Sequence, residues 1–252
     1  MLIAEELLLL IHDDEKGNVN VWVDSLEFRL AEMLLLELEH LQMVWLTKSH
    51  VSPTGQVVKK GCVVGKKSEP LTHQELDLAL DTTLAQALKP VQLVPALSIG
   101  LYSRLLLGLV EQGIVRREDK RLSTCWPIID RGSKAATRAR LQAVLLNGAA
   151  PTFADTALLA IAQDSGLVRS LVQKNQRKQA KARAKEVALK NWITEATKKA
   201  LKAERDRNDD GGGDGLLDIL SAIRKHAEPH QGRYKELSRA ANKENLKRTR
   251  QQ

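Results

Sequence analysis

Aromatic residues and cysteines are both scarce in this chain of 252 residues. Trp, Tyr and Phe together make up 3% of the sequence, so a core has to be built from Leu, Ala, Val and Ile, a composition that favours helices. The two cysteines, Cys62 and Cys125, lie outside any CxxC or Cys/His spacing. This indicates two reduced, small apolar residues in a cytosolic setting rather than a disulfide or zinc framework.

Long hydrophobic runs are also missing. The longest one near the start, residues 7–11, is far shorter than the roughly 20 residues that cross a bilayer. Glu5 and Glu6 precede it without any basic residue, which is atypical of a signal peptide. The sequence therefore predicts a cytoplasmic protein that would associate with a membrane only from its surface.

No catalytic motif stands out. GxSxG, GxGxxG, P-loop and HExxH patterns are all missing from the sequence. The acidic cluster at residues 12–15 is contiguous, and adjacent residues on a helix point about 100° apart, so they do not converge on one metal. We interpret the cluster as the end of the first helix, with Gly17 available for a left-handed turn. His226 and His230 are separated by the helix-breaking Pro229. We expect no enzyme, no cofactor and no metal site.

Apolar periodicity predicts a mainly α-helical fold, with a helical core ringed by amphipathic helices and one β-hairpin. The segment at residues 47–70 reads as a loop with one or two short strands, and residues 114–128 read as the hairpin. Thr72 and Glu75 predict a capping box for the helix that follows them. The predicted helices cover residues 2–12, 26–44, 72–87, 95–113, 133–146, 152–165 and 167–203.

The net charge of +8 is unevenly distributed along the chain. Residues 1–172 carry 18 basic and 20 acidic side chains, whereas residues 173–202 carry 10 basic and 2 acidic ones. A basic run of this kind is either a solvated helix face or a contact for a polyanion such as lipid headgroups or nucleic acid. We predict a helical domain at 1–203, a Gly/Asp-rich linker at 204–215, and a short helix with a basic disordered tail at 216–252.

Five stretches carry a family resemblance. They are "EELLLLIHDDEKGNV", "VWVDSLEFRLAEMLLLELE", "LYSRLLLGLVEQGIVRREDKR", "ADTALLAIAQDSGLVRSLV" and "RAKEVALKNWITEATKKAL". Their order and spacing resemble the Golgi phosphoprotein 3 family, in the shorter form of its bacterial members, over roughly residues 2–203. The resemblance implies a mostly helical, non-enzymatic adaptor that binds phosphatidylinositol 4-phosphate at the membrane surface. It also implies that the 114–128 hairpin lies near the membrane and serves self-association.

The resemblance also implies where a lipid headgroup binds. Trp22 matches the Trp of the family's pocket, while the three basic pocket positions fall on Ala31, Ile99 and Tyr102. Arg29 and Arg104 are the nearest bases, and further bases crowd the hairpin, Lys120 among them. We therefore expect binding of anionic lipid, with phosphatidylinositol 4-phosphate as a candidate headgroup. The predicted lipid-binding residues are Trp22, Arg29, Arg104, Arg116, Arg117 and Arg121.

Two alternatives stay open at the level of the sequence. The helix and charged hairpin within residues 101–126 resemble the recognition helix and wing of a winged-helix protein, although Arg104 is the only base on that helix. A scaffold that forms homo-oligomers through the 114–128 hairpin is the other alternative. Nucleic acid is a less favoured partner than anionic lipid because a recognition helix needs several basic and polar side chains facing the groove.

Overall fold

The computed structural model describes residues 1–21, 23, 25–48, 57, 59–66, 71–120 and 123–210. Contacts between Cα atoms divide the chain after Ala203. The unit formed by residues 1–203 is the one characterised below. The predicted tail at 216–252, and the predicted linker beyond residue 210, lie outside the described residues.

Helices dominate the part of the chain that is described, so the predicted mainly α-helical class is confirmed. The elements are α1 (Ile3–Ile11), α2 (Leu26–His40), β1 (Val44–Leu46), β2 (Val63–Gly65), α3 (Gln74–Ala85), α4 (Pro90–Ser98), α5 (Leu101–Glu111), β3 (Glu118–Asp119), β4 (Thr124–Cys125), α6 (Arg131–Leu146), α7 (Phe153–Ser165), α8 (Val168–Leu171), a 3₁₀ turn (Lys174–Gln176), α9 (Arg177–Val187) and α10 (Trp192–Asp210). β1 pairs antiparallel with β2, and β3 with β4.

The core is built around α1 and α2. All nine residues of α1 are buried, as expected for a helix with Leu and Ile on most sides. α2 packs against α1, α3, α4, α5 and α7, and its residues Leu30, Met33 and Leu34 are at most 1% exposed. The apolar pattern of α2 thus predicted correctly that it is a central helix.

Glu5 on α1 is a fully buried carboxylate with several donors around it. It accepts hydrogen bonds from the Leu2 backbone N–H at 2.7 Å, from Gln112 Nε2 at 2.8 Å and from His73 Nε2 at 3.1 Å. Burial acts to raise the pKa of Glu5, but His73 and the other donors outweigh it and the pKa is lowered. The bonds join α1 to α3 and to the end of α5, so they fix the core helices relative to one another.

Two predicted helix boundaries at α2 and α3 are wrong. The helix predicted to reach residue 44 ends at His40, because Gln42 adopts a left-handed φ of 58° and β1 follows. The predicted capping box of Thr72 with Glu75 is replaced by His73, whose Nδ1 accepts the Glu75 backbone N–H. The Glu75 side chain instead binds Arg104 on α5.

The predicted apolar helix at 95–113 is broken into α4 and α5. Gly100 lies between the two helices and has a left-handed φ of 63°. The axes of α4 and α5 are bent by 53° at this break. Among the described residues no single helix is long and apolar enough to cross a bilayer. Taken together, the bent pair α4 and α5 is long and apolar enough to cross one, by length and composition only. Its residues Leu93, Leu101 and Leu105 are, however, fully buried in the core.

The predicted basic helix at 167–203 is likewise broken, into α8, the 3₁₀ turn, α9 and α10. Val172 and Ala188 leave the helical region of φ/ψ at the ends of α8 and α9. Asn191 then starts α10, because its Oδ1 accepts the backbone N–H of Ile193 at 2.9 Å and of Thr194 at 3.0 Å. The basic residues of this region therefore lie on separate, short elements.

The predicted hairpin is confirmed, and its base is held against the loop after α1. Beyond β3 and β4, an isolated bridge pairs Val115 with Ile128. The Trp126 N–H donates to the Gly17 carbonyl at 3.0 Å, and the Ile128 N–H donates to the Asp14 carbonyl at 3.0 Å. The loop that follows α1 therefore fixes the position of the hairpin on the body.

Candidate functional site

The acidic loop at residues 12–15 joins α1 to neighbouring parts of the body. His12 is 2% exposed, donates from Nδ1 to the Leu8 carbonyl at 2.7 Å and accepts at Nε2 from the Tyr102 hydroxyl at 2.8 Å. Burial lowers the pKa of His12. Lys134 Nζ lies 2.5 Å from Asp14 Oδ1. The helix-end interpretation is confirmed, and Gly17 has the expected positive φ of 64°.

No group of three or more His, Cys, Asp or Glu side chains within the described part of the chain is placed to hold a metal ion. His226 and His230 lie outside the described residues. The expectation of no metal site and no cofactor therefore stays a prediction for the whole chain.

Arg29, a predicted lipid-binding residue, faces the inside of the domain. It is 8% exposed. Its guanidinium binds Glu32 through Nη1 at 3.0 Å and Asp164, at the end of α7, through Nη2 at 3.2 Å. Because two carboxylates already hold it, this arginine fastens α2 to α7 and presents little charge to solvent.

The burial of Glu32 makes a pH-dependent stability expected. Burial raises the pKa of Glu32 to about 7, although Arg29 opposes this. In the unfolded chain the same carboxyl titrates near its ordinary value of 4.5. Folding therefore takes up a proton between these two pH values, so the contribution of Glu32 to stability is present at low pH and lost as the pH rises through about 7.

The Glu32→Gln variant tests that expectation by chemical denaturation across the same pH range. Gln resembles the protonated acid, so the unfolding free energy of the variant minus that of the native chain should rise by about 2 kcal/mol between about pH 5 and about pH 8. A difference that stays constant with pH would show that Glu32 titrates as in the unfolded chain.

Arg104, the other predicted base on a helix, is also held by the protein itself. Its Nε lies 3.0 Å from Glu75 Oε2, and its Nη1 donates to the Ile99 carbonyl. The side chain is 25% exposed. The carboxylate of Glu27, on α2, accepts the backbone N–H of Tyr102 at the start of α5 and lies close to Arg104. Desolvation raises the pKa of Glu27, and these two groups oppose the rise.

The three positions at which the resemblance implies basic pocket residues have structural roles here. Ala31 is fully buried in α2. Tyr102 bonds His12 through its hydroxyl, and its ring stacks on that of His12. Ile99 is 38% exposed at the break between α4 and α5. The positions at which the resemblance implies phosphate-binding bases thus hold an alanine, an isoleucine and a tyrosine, and the nearby Arg104 is bound by Glu75.

Arg116 and Arg117 of the hairpin lie at the surface but next to acids. Arg116 pairs with Glu118. Arg117 Nε lies 3.0 Å from Asp119 Oδ1, and its guanidinium lies 5.8 Å from the centroid of the Trp126 ring. With Lys120 exposed, residues 116–121 carry four bases and two acids, a net charge of +2. Two predicted residues, Trp22 and Arg121, lie outside the described residues.

The strongest concentration of positive charge lies outside the predicted lipid-binding residues. Residues 169–190 contain eight bases and one acid, a net charge of +7. The bases are Arg169, Lys174, Arg177, Lys178, Lys181, Arg183, Lys185 and Lys190. The charge imbalance is visible in the sequence, but only the structure shows that most of these bases lie exposed on α8, the 3₁₀ turn and α9.

The fold is therefore a leucine-rich helical domain with a charged hairpin docked on the loop after its first helix. The family model of Golgi phosphoprotein 3 (GPP34) matches residues 3–203. The chain belongs to this family, as the sequence motifs predict. No curated protein matches the chain at a significant level.

Proposed function

We propose that the protein is a non-enzymatic peripheral membrane protein that binds anionic lipid and acts as an adaptor. The observation that carries the proposal is the family match over residues 3–203, which spans the whole helical body and the hairpin. The basic surfaces of the structure support it, since each Lys or Arg near an anionic leaflet contributes about 1 kcal/mol. In this proposal the 114–128 hairpin also serves self-association.

We further propose that binding depends on the charge of the leaflet more than on one headgroup. A phosphate monoester is held specifically by several charge-assisted hydrogen bonds. Of the two predicted bases on helices, Arg104 is bound by Glu75 and Arg29 is bound by Glu32 and Asp164. These contacts leave few donors for a phosphoinositide, although phosphatidylinositol 4-phosphate adds to the charge of any leaflet that contains it.

Vesicle co-sedimentation tests the proposal directly. The full chain should bind phosphatidylcholine vesicles that contain phosphatidylserine and should not bind vesicles of phosphatidylcholine alone. Raising the salt from about 0.1 M to about 1 M shortens the Debye length from about 10 Å to about 3 Å, so most bound protein should be released.

Two outcomes would contradict these proposals. Equal binding to neutral and anionic vesicles at low salt would overturn the first. Vesicles with phosphatidylinositol 4-phosphate, matched in total charge to the phosphatidylserine set, should bind to a similar extent. Strongly preferred binding to the phosphoinositide set would show headgroup recognition instead.

A further inference from the structure

The outer side of α9 is a regular stripe of lysines on a helix that is fixed to the body. Ala180 and Ala184 are fully buried where α9 packs against α6 and α7. Lys178, Lys181 and Lys185 follow a spacing of three and four residues on the opposite side, and all three are exposed. Lys174, on the preceding 3₁₀ turn, is exposed as well. We call Lys174, Lys178, Lys181 and Lys185 the lysine surface.

Both ends of α9 are attached by hydrogen bonds. Gln179 Nε2 donates to the Leu146 carbonyl at the end of α6, and the Leu189 N–H donates to the Thr156 carbonyl on α7 at 3.0 Å. Small buried residues bring the helix close to the body, so the lysines project from a supported plane. Their positions do not depend on folding upon binding.

The charge of this region is hardly neutralised by the protein. Among the described residues the only ion pair within 169–190 joins Arg183 and Glu186, at 2.8 Å. On the hairpin, in contrast, both Arg116 and Arg117 are paired with acids. The region around α9 is therefore the larger source of positive potential available to a partner.

We propose that the lysine surface docks the protein on anionic lipid bilayers and supplies the main electrostatic part of the attachment. This inference rests on the proposed function and assigns it a surface different from the hairpin and the α5 region. The stripe contains lysine and alanine with no exposed large apolar side chain, so it suits a contact at headgroup level without insertion into the hydrocarbon.

A bilayer fits this surface better than a nucleic acid does. Lysine is a point charge without directional demands, and a fluid leaflet can bring its headgroups to it. Sequence reading in a groove uses bidentate Arg, Asn or Gln side chains on the face that enters the groove. Between its lysines, the exposed side of α9 presents Ala182, which cannot make such a contact with a base.

The lysine surface and the hairpin can be altered separately. The hairpin leads into the start of α6 at Arg131, whereas α9 contacts the other end of α6 at Leu146. Sixteen helical residues span about 24 Å. A change at one surface should therefore leave the structure of the other intact.

The test uses the full chain and three variants with four substitutions each. The first changes the lysine surface (Lys174→Gln, Lys178→Gln, Lys181→Gln and Lys185→Gln). The second removes the same charge from exposed lysines elsewhere (Lys16→Gln, Lys59→Gln, Lys66→Gln and Lys89→Gln). The third changes the hairpin (Arg116→Gln, Arg117→Gln, Lys120→Gln and Arg121→Gln). Gln is a good helix former, so α9 should stay folded, and circular dichroism with a thermal melt verifies this for each variant.

Vesicles of phosphatidylcholine with phosphatidylserine are the probe, with a DNA duplex as the second polyanion. Since each base near the leaflet strengthens binding about fivefold, the loss of four lysines should weaken vesicle binding by roughly several hundredfold. The matched-charge control and the hairpin variant should lose far less of their affinity for the vesicles. Duplex DNA should bind the native chain more weakly than the vesicles do.

Failure of this inference is distinguishable from failure of the proposed function. If the native chain does not bind anionic vesicles, the proposed function is wrong. If it binds them and the lysine-surface variant binds equally well, or no worse than the matched-charge control, the function stands and the lysine surface is not the docking site. If the lysine surface is needed for tight duplex binding but not for vesicle binding, its partner is a nucleic acid and the inference is overturned.

Discussion

Replacing Gly17 with alanine is expected to lower the free energy of unfolding by about 3 kcal/mol or more. A Cβ atom at this position would lie 2.3 Å from the Pro127 backbone nitrogen and 2.3 Å from the Trp126 carbonyl carbon. Both contacts are with backbone, which cannot swing away as a side chain can. The left-handed φ of 64° adds a further cost for a residue with a Cβ. Urea denaturation of the native chain and the variant measures the loss.

Gly113→Ala is the matched control for this prediction. Gly113 also has a left-handed φ, 73°, but a Cβ there would meet nothing within 4 Å. Its replacement should cost only about 1 kcal/mol, the conformational part of the penalty. Equal losses for the two variants would show that the hairpin does not approach Gly17 closely, and with it the account of how the hairpin is fixed would fail.

Replacing Arg140 with methionine is expected to cost about 3 kcal/mol. Its Nη2 lies 2.6 Å from Glu6 Oε2, and its Nε lies 2.5 Å from Asp155 Oδ1. Burial disfavours the charge on Arg140, but the two carboxylates outweigh burial and raise its pKa. Asp155 is 1% exposed and Glu6 is 8% exposed, so removal of the guanidinium leaves two carboxylates with little access to water. Because Arg140 joins α1, α6 and α7, the variant should unfold at a lower urea concentration.

Arg131→Met, on the same helix, is the control. Arg131 and Glu15 form an ion pair at 3.6 Å, with side chains that are 61% and 81% exposed. Exposed pairs of this kind contribute little, so the change should stay within about 0.5 kcal/mol. If the two variants were equally stable, Arg140 would be no more important than a surface arginine.

Much of the secondary structure followed from local patterns. The buried leucines of α1 and α2 and the charged turn of the hairpin are signals within one element, and the structure confirms the elements that they predict. The breaks were harder to predict. Gly100 and Asn191 lie inside segments whose apolar or basic pattern continues across them, so periodicity alone joins helices that backbone conformation and capping separate.

The candidate site depended on contacts that no local pattern contains. Arg29 has a local partner in Glu32 three residues along α2, but its second partner, Asp164, lies 135 residues further along the chain. Arg104 is bound by Glu75, 29 residues earlier. Which bases remain available to a partner is therefore a property of the folded chain.

The sequence by itself determined the helical class, the family and the excess of positive charge after residue 172, because composition, periodicity and motif order are local or additive properties. Only the tertiary structure decided which of those charges face solvent. Folding brings Asp164 of α7 against Arg29 and Glu75 of α3 against Arg104, whereas α9 packs through buried alanines that leave its lysines exposed. The physical reason is that a charge is neutralised by what lies within a few ångströms of it, whatever its distance along the chain.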